Sequence, residues 1–142
     1  MIEKEYGMHM RTFGMIKPDA TQRGIQADMI RDIEAAGFVV EQQVQRPMTR
    51  DEAEWLYREH AGRDHFAGLV DYTVSGDVVM LLLSHAEGDA PQRFRALMGP
   101  TDRTKAPEGT LRQRYAVGYR ENSVHGSDSP EAAAAELGRF FG

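Results

Sequence analysis

The 142-residue chain contains no cysteine. Disulfide frameworks, thiolate metal sites, iron–sulfur clusters and cysteine nucleophiles are therefore excluded. The chain also lacks a long apolar segment, because its longest apolar run, residues 78–83, is far shorter than the roughly 18–20 residues of a membrane-spanning helix. Residues 1–10 include two glutamates and no apolar stretch, so the sequence predicts no signal peptide.

Common phosphate-binding and nucleophile motifs are absent as well. The chain has no GxxxxGK[ST] loop, no GxGxxG turn and no GxSxG nucleophile elbow. If the protein binds nucleotides, it therefore uses another design.

Basic residues are outnumbered overall but are concentrated in one segment. The formal net charge is −5, which argues against nucleic-acid binding by the surface as a whole. Between Arg93 and Arg120, however, there are seven basic and two acidic residues. This segment indicates a local anion site; the alternative is a set of solvated surface arginines.

The length of 142 residues predicts one domain over residues 1–142, with residues 1–10 as a flexible N-terminal extension. The sequence predicts a long helix that begins at Asp19 or Thr21, a capping box at Thr49 and Glu52, and a final helix capped by Asp128 or Ser129. This order of elements predicts an α/β (α+β) sandwich, with a ferredoxin-like core as one topology that fits. Strands are predicted at 11–16, 38–44, 77–84 and 115–119, helices at 19–36, 49–60, 66–74, 90–98 and 130–141, and an irregular stretch at 98–114.

Residues 122–131 carry the strongest chemical signal. His125 is followed by Gly126 and by a predicted helix start, and a helix N-terminus favours an anion. A neutral imidazole is a nucleophile near pH 7, so His125 is a candidate to accept a phosphoryl group. The alternative is a loop histidine that hydrogen-bonds to the helix cap.

Other side chains suit a nucleotide ligand. Lys17 directly follows the first predicted strand, at the end of the strand where α/β sheets place ligands. Guanidinium groups match phosphate oxygens, and flat rings can stack on a base. Taken singly, each is equally compatible with a surface or core role. The candidates are Arg95, Thr101 and Arg112 for phosphates, and Tyr57 and His65 for stacking.

Taken together, these segments resemble the motif series of the nucleoside diphosphate kinases. The resemblance implies a ferredoxin-like four-stranded antiparallel sheet covered by helices, a homo-oligomer and a cytoplasmic location. The most specific signatures are Lys-Pro-Asp at residues 17–19 and Asn-x-x-His-Gly-Ser-Asp-Ser at residues 122–129. The matching segments, in the order of the family, are 11–24, 97–102, 109–112 and 122–129.

The resemblance also implies a reaction and its residues. The γ-phosphate of a nucleoside triphosphate such as ATP or GTP would pass to a nucleoside diphosphate through a phosphohistidine at His125, with ping-pong kinetics and little base specificity. Glu136 would orient the imidazole with help from Ser127, and Mg²⁺ would be held mainly through the nucleotide phosphates rather than by a protein metal site. No membrane or specific nucleic-acid partner is expected. The implied nucleotide-binding residues are Lys17, Tyr57, His65, Arg95, Thr101, Arg112 and Asn122.

A few residues depart from the pattern of the family. His65 stands where the family usually has a stacking Phe, and a smaller, titratable ring is expected to hold a base less firmly. Residues 113–115, Gln-Arg-Tyr, replace the usual Gly-Asp-Phe. Two alternative functions therefore remain: a histidine phosphocarrier, and a nucleotide-binding regulatory module without turnover.

Overall fold

A computed structural model of the protein describes residues 9–142. Within this range the strands are β1 (Arg11–Ile16), β2 (Phe38–Pro47), β3 (Asp77–His85) and β4 (Val124–Gly126). They form an antiparallel sheet in the order β2-β3-β1-β4, which is the ferredoxin-like arrangement. The helices are α1 (Pro18–Gln22), α2 (Gln26–Ala35), α3 (Arg50–Leu56), α4 (Phe66–Thr73), α5 (Ala90–Met98), α6 (Leu111–Tyr115) and α7 (Pro130–Phe141).

The sheet separates two apolar cores because successive side chains of a strand point to opposite faces. On β1, Phe13 and Met15 pack against α3, α4 and α7, whereas Ile16 packs against α2 and α5. The central strand β3 is apolar on both faces, which explains the unbroken apolar run in its sequence. The predicted sandwich is therefore confirmed.

One predicted helix is two helices in the structure. The prediction of a continuous helix from residue 19 to residue 36 is wrong, because α1 ends at Gln22 and Gly24 has a φ of 72°. A residue in the left-handed backbone conformation cannot continue a right-handed helix. The predicted caps are also wrong, since the residue before α1 is Lys17 and Pro18 occupies the first turn.

The fourth strand lies later in the chain than the sequence predicted. Residues 115–119 form no strand; they comprise the end of α6 and the start of a loop. β4 instead pairs with Gly14, Met15 and Ile16 of β1. His125 therefore lies within a strand rather than just after one. A strand of three residues is too short to show an alternating pattern, which is why the sequence did not reveal it.

Several predicted boundaries are confirmed, and others shift by a few residues. Thr49 and Glu52 form the predicted capping box, although α3 ends at Leu56 and a 3₁₀ turn follows at Arg58–His60. Ser129, not Asp128, caps α7. The stretch predicted to be irregular contains α6 and a 3₁₀ turn at 103–105. No helix within residues 9–142 has the length and apolar composition needed to cross a bilayer.

The predicted N-terminal extension falls largely outside the described residues. Nothing is described for residues 1–8. The carbonyl of His9 accepts a hydrogen bond from the amide of Ala90 at 2.8 Å, and that of Met10 accepts one from the amide of His85 at 3.0 Å. These two residues are thus attached to the start of α5 and the end of β3.

Gly126 is packed too closely to accept a side chain. A Cβ atom at this position would lie 2.6 Å from Cδ2 of Phe94 and 2.9 Å from Cε of Met98. We expect Gly126→Ala to lower the free energy of unfolding by about 1–3 kcal/mol, because an overpacked core must shift. Chemical denaturation measures this change.

Gly138→Ala is the matched control for this prediction. Gly138 lies in α7, and apart from its chain neighbours and the nearby backbone of that helix, no described atom lies within 4 Å of the position of its Cβ. Alanine there is expected to raise the stability by up to about 1 kcal/mol, since it favours the helix. If Gly126→Ala were as stable as the unaltered protein, the close packing at β4 would be disproved.

Candidate functional site

His125 is presented by β4 on the face of the sheet that carries α3 and α7. The side chain of Val124 packs on the opposite face, which carries α5, and a Cβ atom at Gly126 would point to that face as well. The imidazole lies between two rings, 5.7 Å from the ring centroid of Tyr57 and 6.0 Å from that of Phe13. The His125 side chain is 17% exposed, so a small group can reach it from solvent.

A carboxylate fixes the orientation of the imidazole. Nε2 of His125 lies 3.2 Å from Oε1 of Glu136, and the Ser127 hydroxyl donates to the same oxygen at 2.7 Å. A carboxylate only accepts hydrogen bonds, so Nε2 carries the proton and Nδ1 of the neutral ring keeps its lone pair. This arrangement leaves Nδ1 as the ring nitrogen with an available lone pair.

Lys17 is buried beside this imidazole and contacts two other predicted site residues. Its Nζ donates to Oδ1 of Asn122 at 3.0 Å and lies 5.8 Å from the centroid of the Tyr57 ring. Burial, followed by the positive charge of Arg112, lowers the pKa of Lys17 from 10.5 to about 7. A nearby anion would therefore stabilise the protonated form of the amine.

Arg112 is a second cation in the site and is half-buried. Its Nη1 and Nη2 donate to the carbonyls of Gly99 and Val124, each at 2.9 Å, while its buried Nε has no partner among the described residues. Burial, followed by the charge of Arg95, lowers the pKa of Arg112 to about 10. The guanidinium stays charged at neutral pH and connects the loop after α5 to the strand that carries His125.

Tyr57 places its ring inside this cluster, where it packs against His125 and the Lys17 ammonium. The Tyr57 side chain is buried. Burial raises the pKa of Tyr57, whereas a hydrogen bond with the Thr73 side chain lowers it; the net effect is a rise, so the phenol stays protonated. The ring therefore forms one wall of the cluster.

Two predicted phosphate ligands, Arg95 and Thr101, lie outside the hydrogen-bonded cluster in the part of the chain that the structure describes. The charge of Arg95 nevertheless acts on Arg112. Arg95 is exposed in the last turn of α5 and lines a cavity of about 310 Å³ together with residues 128–130. His125 does not line this cavity, so the reactive imidazole lies outside it.

His65 lies at the outer end of a row of rings. The row starts at His125 and passes through Tyr57 to His60, 6.3 Å from Tyr57, and then to His65, 4.9 Å from His60. Nε2 of His65 lies 2.9 Å from Nδ1 of His60. Burial, followed by the charges of His65 and Arg63, lowers the pKa of His60. His65 is exposed, as a residue that contacts a base would be.

The acidic residues of the site do not form a metal cage. Across the described chain, no three His, Cys, Asp or Glu side chains converge as metal ligands would. Glu136 is already engaged by His125 and Ser127. A Mg²⁺ ion would therefore need most of its ligands from phosphate oxygens and water, which is a usual way to hold this ion.

A buried polar network next to Lys17 was not predicted from the sequence. Asp19, predicted as a possible helix cap and as the last residue of the Lys-Pro-Asp signature, accepts hydrogen bonds from Ser123 and from Tyr72. The position of Asp19 two residues after Lys17 was a usable signal. Its hydrogen-bond partners could not be predicted, because Tyr72 and Ser123 are 53 and 104 residues away from it in the sequence.

Comparison with known proteins gives consistent results along the chain. A family model described as nucleoside diphosphate kinase matches residues 10–142. A nucleoside diphosphate kinase from Bradyrhizobium sp. strain ORS 278 is 48% identical over 131 residues, which is 92% of each chain. One from Oleidesulfovibrio alaskensis is 44% identical over 135 residues, covering 94% of this chain and 95% of the relative.

Solved structures of similar shape carry the same name. The structure of a halophilic nucleoside diphosphate kinase from Halobacterium salinarum in complex with CDP has a TM-score of 0.86 and 35% identity, and it covers 92% of this chain and 86% of its own. The Aquifex aeolicus nucleoside diphosphate kinase has a TM-score of 0.85 and 32% identity, with coverage of 93% and 94%.

The lowered pKa of Lys17 predicts that affinity for a phosphate ligand falls with rising pH. Only the protonated amine attracts phosphate, so binding is strongest below about pH 7 and weakens above it. We expect the affinity for ADP to fall by up to roughly fiftyfold between about pH 7 and 9, as the protonated fraction falls from about one half to about one hundredth. Isothermal titration calorimetry in buffers of different ionisation enthalpy measures both the affinity and the accompanying proton uptake.

Lys17→Arg is the control for this dependence. Arginine remains charged across this range, so the variant should lose most of the pH dependence even if it binds ADP more weakly. A fall in affinity that is equally steep in Lys17→Arg would show that another group titrates.

Proposed function

The chain belongs to the nucleoside diphosphate kinase family, and we propose that Nδ1 of His125 carries the phosphoryl group during its reaction. The activity is that of the family: the protein is a phosphotransferase that moves the γ-phosphate of a nucleoside triphosphate to a nucleoside diphosphate. The observation that carries the proposal is the hydrogen bond from Nε2 of His125 to Glu136, because it leaves the lone pair of Nδ1 free.

The reaction proceeds in two half-reactions at the same imidazole. In the first, Nδ1 attacks the γ-phosphorus, the bond to the bridging β–γ oxygen breaks, and the nucleoside diphosphate leaves. In the second, a terminal β-phosphate oxygen of another diphosphate attacks the phosphohistidine, and the P–N bond breaks. Glu136 stabilises the positive charge on the ring while Nε2 keeps its proton.

Positive charge around His125 supports phosphate binding. Lys17 and Arg112 lie in the buried cluster, and Arg95 and Thr101 complete the proposed set from the adjacent helix and loop. Asn122 fixes the Lys17 ammonium, and the Tyr57 ring packs against it. Phosphoryl transfer depends mainly on such positioning and charge neutralisation.

We infer that Mg²⁺ accompanies the nucleotide. When bound, it would be held mainly by phosphate oxygens and water and would neutralise part of the phosphate charge. The nucleotides expected are ATP, GTP and their relatives, because stacking on a ring reads no base edge. A cytoplasmic location stays a prediction from the family.

The outer edge of the sheet supports assembly into a homo-oligomer. β2 is a ten-residue edge strand, and Val39 and Val44 on it are 57% and 40% exposed. An edge with unpaired backbone groups and exposed valines is suited to pairing with another chain. A second copy of this protein is the partner that we propose.

A labelling experiment tests the role of His125. Incubation with γ-labelled ATP and Mg²⁺ should place an acid-labile label on the protein, and unlabelled GDP should remove it as labelled GTP. His125→Asn should reduce both label and exchange by more than about 10³-fold, because the nucleophile is lost. Mass spectrometry locates the modified residue.

The same experiment separates the alternative functions. Label that passes to a protein acceptor but not to GDP would indicate a phosphocarrier. Nucleotide binding without label would indicate a regulatory module. Full exchange by His125→Asn would disprove the proposed nucleophile.

A larger ring at residue 65 should improve base binding. Because stacking energy grows with ring area, we expect His65→Phe to lower the KM for GDP by about two- to fivefold, with little change in kcat. Steady-state kinetics measures both constants.

Inorganic tripolyphosphate, which has no base, is the control ligand. Its inhibition constant should be the same for His65→Phe and the unaltered protein. An unchanged KM for GDP, or an equal change for tripolyphosphate, would show that residue 65 does not contact the base.

A further inference from the structure

Asp19 is a buried carboxylate in the first turn of α1, directly after the Lys17-Pro18 pair. Its side chain is 7% exposed. One oxygen accepts hydrogen bonds from the amide of Ser123 at 3.2 Å and from the Tyr72 hydroxyl. The other accepts from the Ser123 hydroxyl at 2.7 Å and from Arg23 at 3.2 Å. The carboxylate thus joins α1, α4 and the segment that enters β4.

This network supports an unusual backbone conformation. Ser123 has a φ of 74°, which lies in the left-handed region that serine rarely occupies. Its carbonyl accepts the amide hydrogen of Lys17 at 2.9 Å. Asn122, the preceding residue, holds the Lys17 ammonium. Asp19 therefore fixes the short segment on which both the Asn122 contact and the His125 strand depend.

Charge gives Asp19 a second effect on Lys17. The groups that face Lys17 are the Arg112 guanidinium, the carboxylates of Asp19 and Glu121, and the Tyr57 ring. Arg112 lowers the pKa of Lys17, whereas Asp19 and, to a smaller extent, Glu121 raise it. Arg23 faces Asp19 but is 38% exposed, so solvent screens part of its charge.

We propose that Asp19 is a positioning residue of the phosphate site: it holds the Asn122–Ser123 backbone against Lys17 and supplies the negative charge that keeps the Lys17 ammonium protonated in the free enzyme. The inference rests on the proposed role of Lys17 in phosphate binding. Without this charge, a larger fraction of the enzyme would meet its nucleotide with a neutral lysine.

Lysine ¹³C NMR tests the effect of charge directly. The chain has only three lysines, Lys4, Lys17 and Lys105, and Lys17→Arg identifies the Lys17 signal. We expect Asp19→Asn, which keeps the shape and removes the charge, to lower the titration midpoint of Lys17 by about half a pH unit or more. The alkaline limb of kcat/KM should move in the same direction.

Tyr72→Phe is the matched control, because it removes a hydrogen bond to Asp19 and leaves the charge. The Lys17 midpoint should not fall in this variant. An unchanged midpoint in Asp19→Asn, or an equal fall in Tyr72→Phe, would overturn the charge effect. The titration uses the free protein, so its outcome does not depend on whether His125 is the nucleophile.

Asp19→Glu tests positioning and also serves if Asp19→Asn does not fold. It keeps the charge but moves the carboxylate by one methylene, so the Lys17 midpoint should stay near that of the unaltered protein. We expect the KM for ADP to rise by about threefold or more as Ser123 shifts, with a smaller change in kcat. A KM equal to that of the unaltered protein would overturn the positioning role.

Discussion

Buried positive charge is the constraint on which the site depends. Lys17 is buried and Arg112 is half-buried, without a carboxylate bonded to either one among the described residues, and burial of a cation is unfavourable. Carbonyl oxygens of Asn122, Gly99 and Val124 stabilise the two cations in part. A phosphate group would supply the missing negative charge, so the electrostatics of the site favour an anionic ligand.

The sheet keeps the two nitrogens of His125 in different environments. Nε2 is directed at Glu136 on α7, a buried acid that also accepts from Ser127. His125 lies in β4 and Ser127 directly follows this strand. The pairing of β4 with β1 therefore fixes the position of both side chains relative to Glu136. Nε2 is thus held by a structural hydrogen bond, whereas Nδ1 is available for the proposed reaction.

The parts of the fold that sequence could predict are those set by local patterns. The capping box at Thr49 and the long apolar strand β3 each carry their signal within a few residues. β4 could not be predicted, because its three residues become a strand only by pairing with β1. Lys17 and His125 were identifiable from motifs, whereas the role of Asp19 depends on partners far away in the chain.

Residues 113–115, which depart from the family pattern, help to anchor α6 and include none of the proposed reacting groups. Arg114 forms an ion pair with Asp32 at 2.9 Å, and the Tyr115 hydroxyl donates to the same carboxylate, so both attach α6 to α2. The carbonyl of Tyr115 also accepts from Arg23 and lies 3.1 Å from the Ser123 hydroxyl oxygen. The altered segment therefore still supports the network around Asp19, and Arg112 keeps its position between the loop and β4.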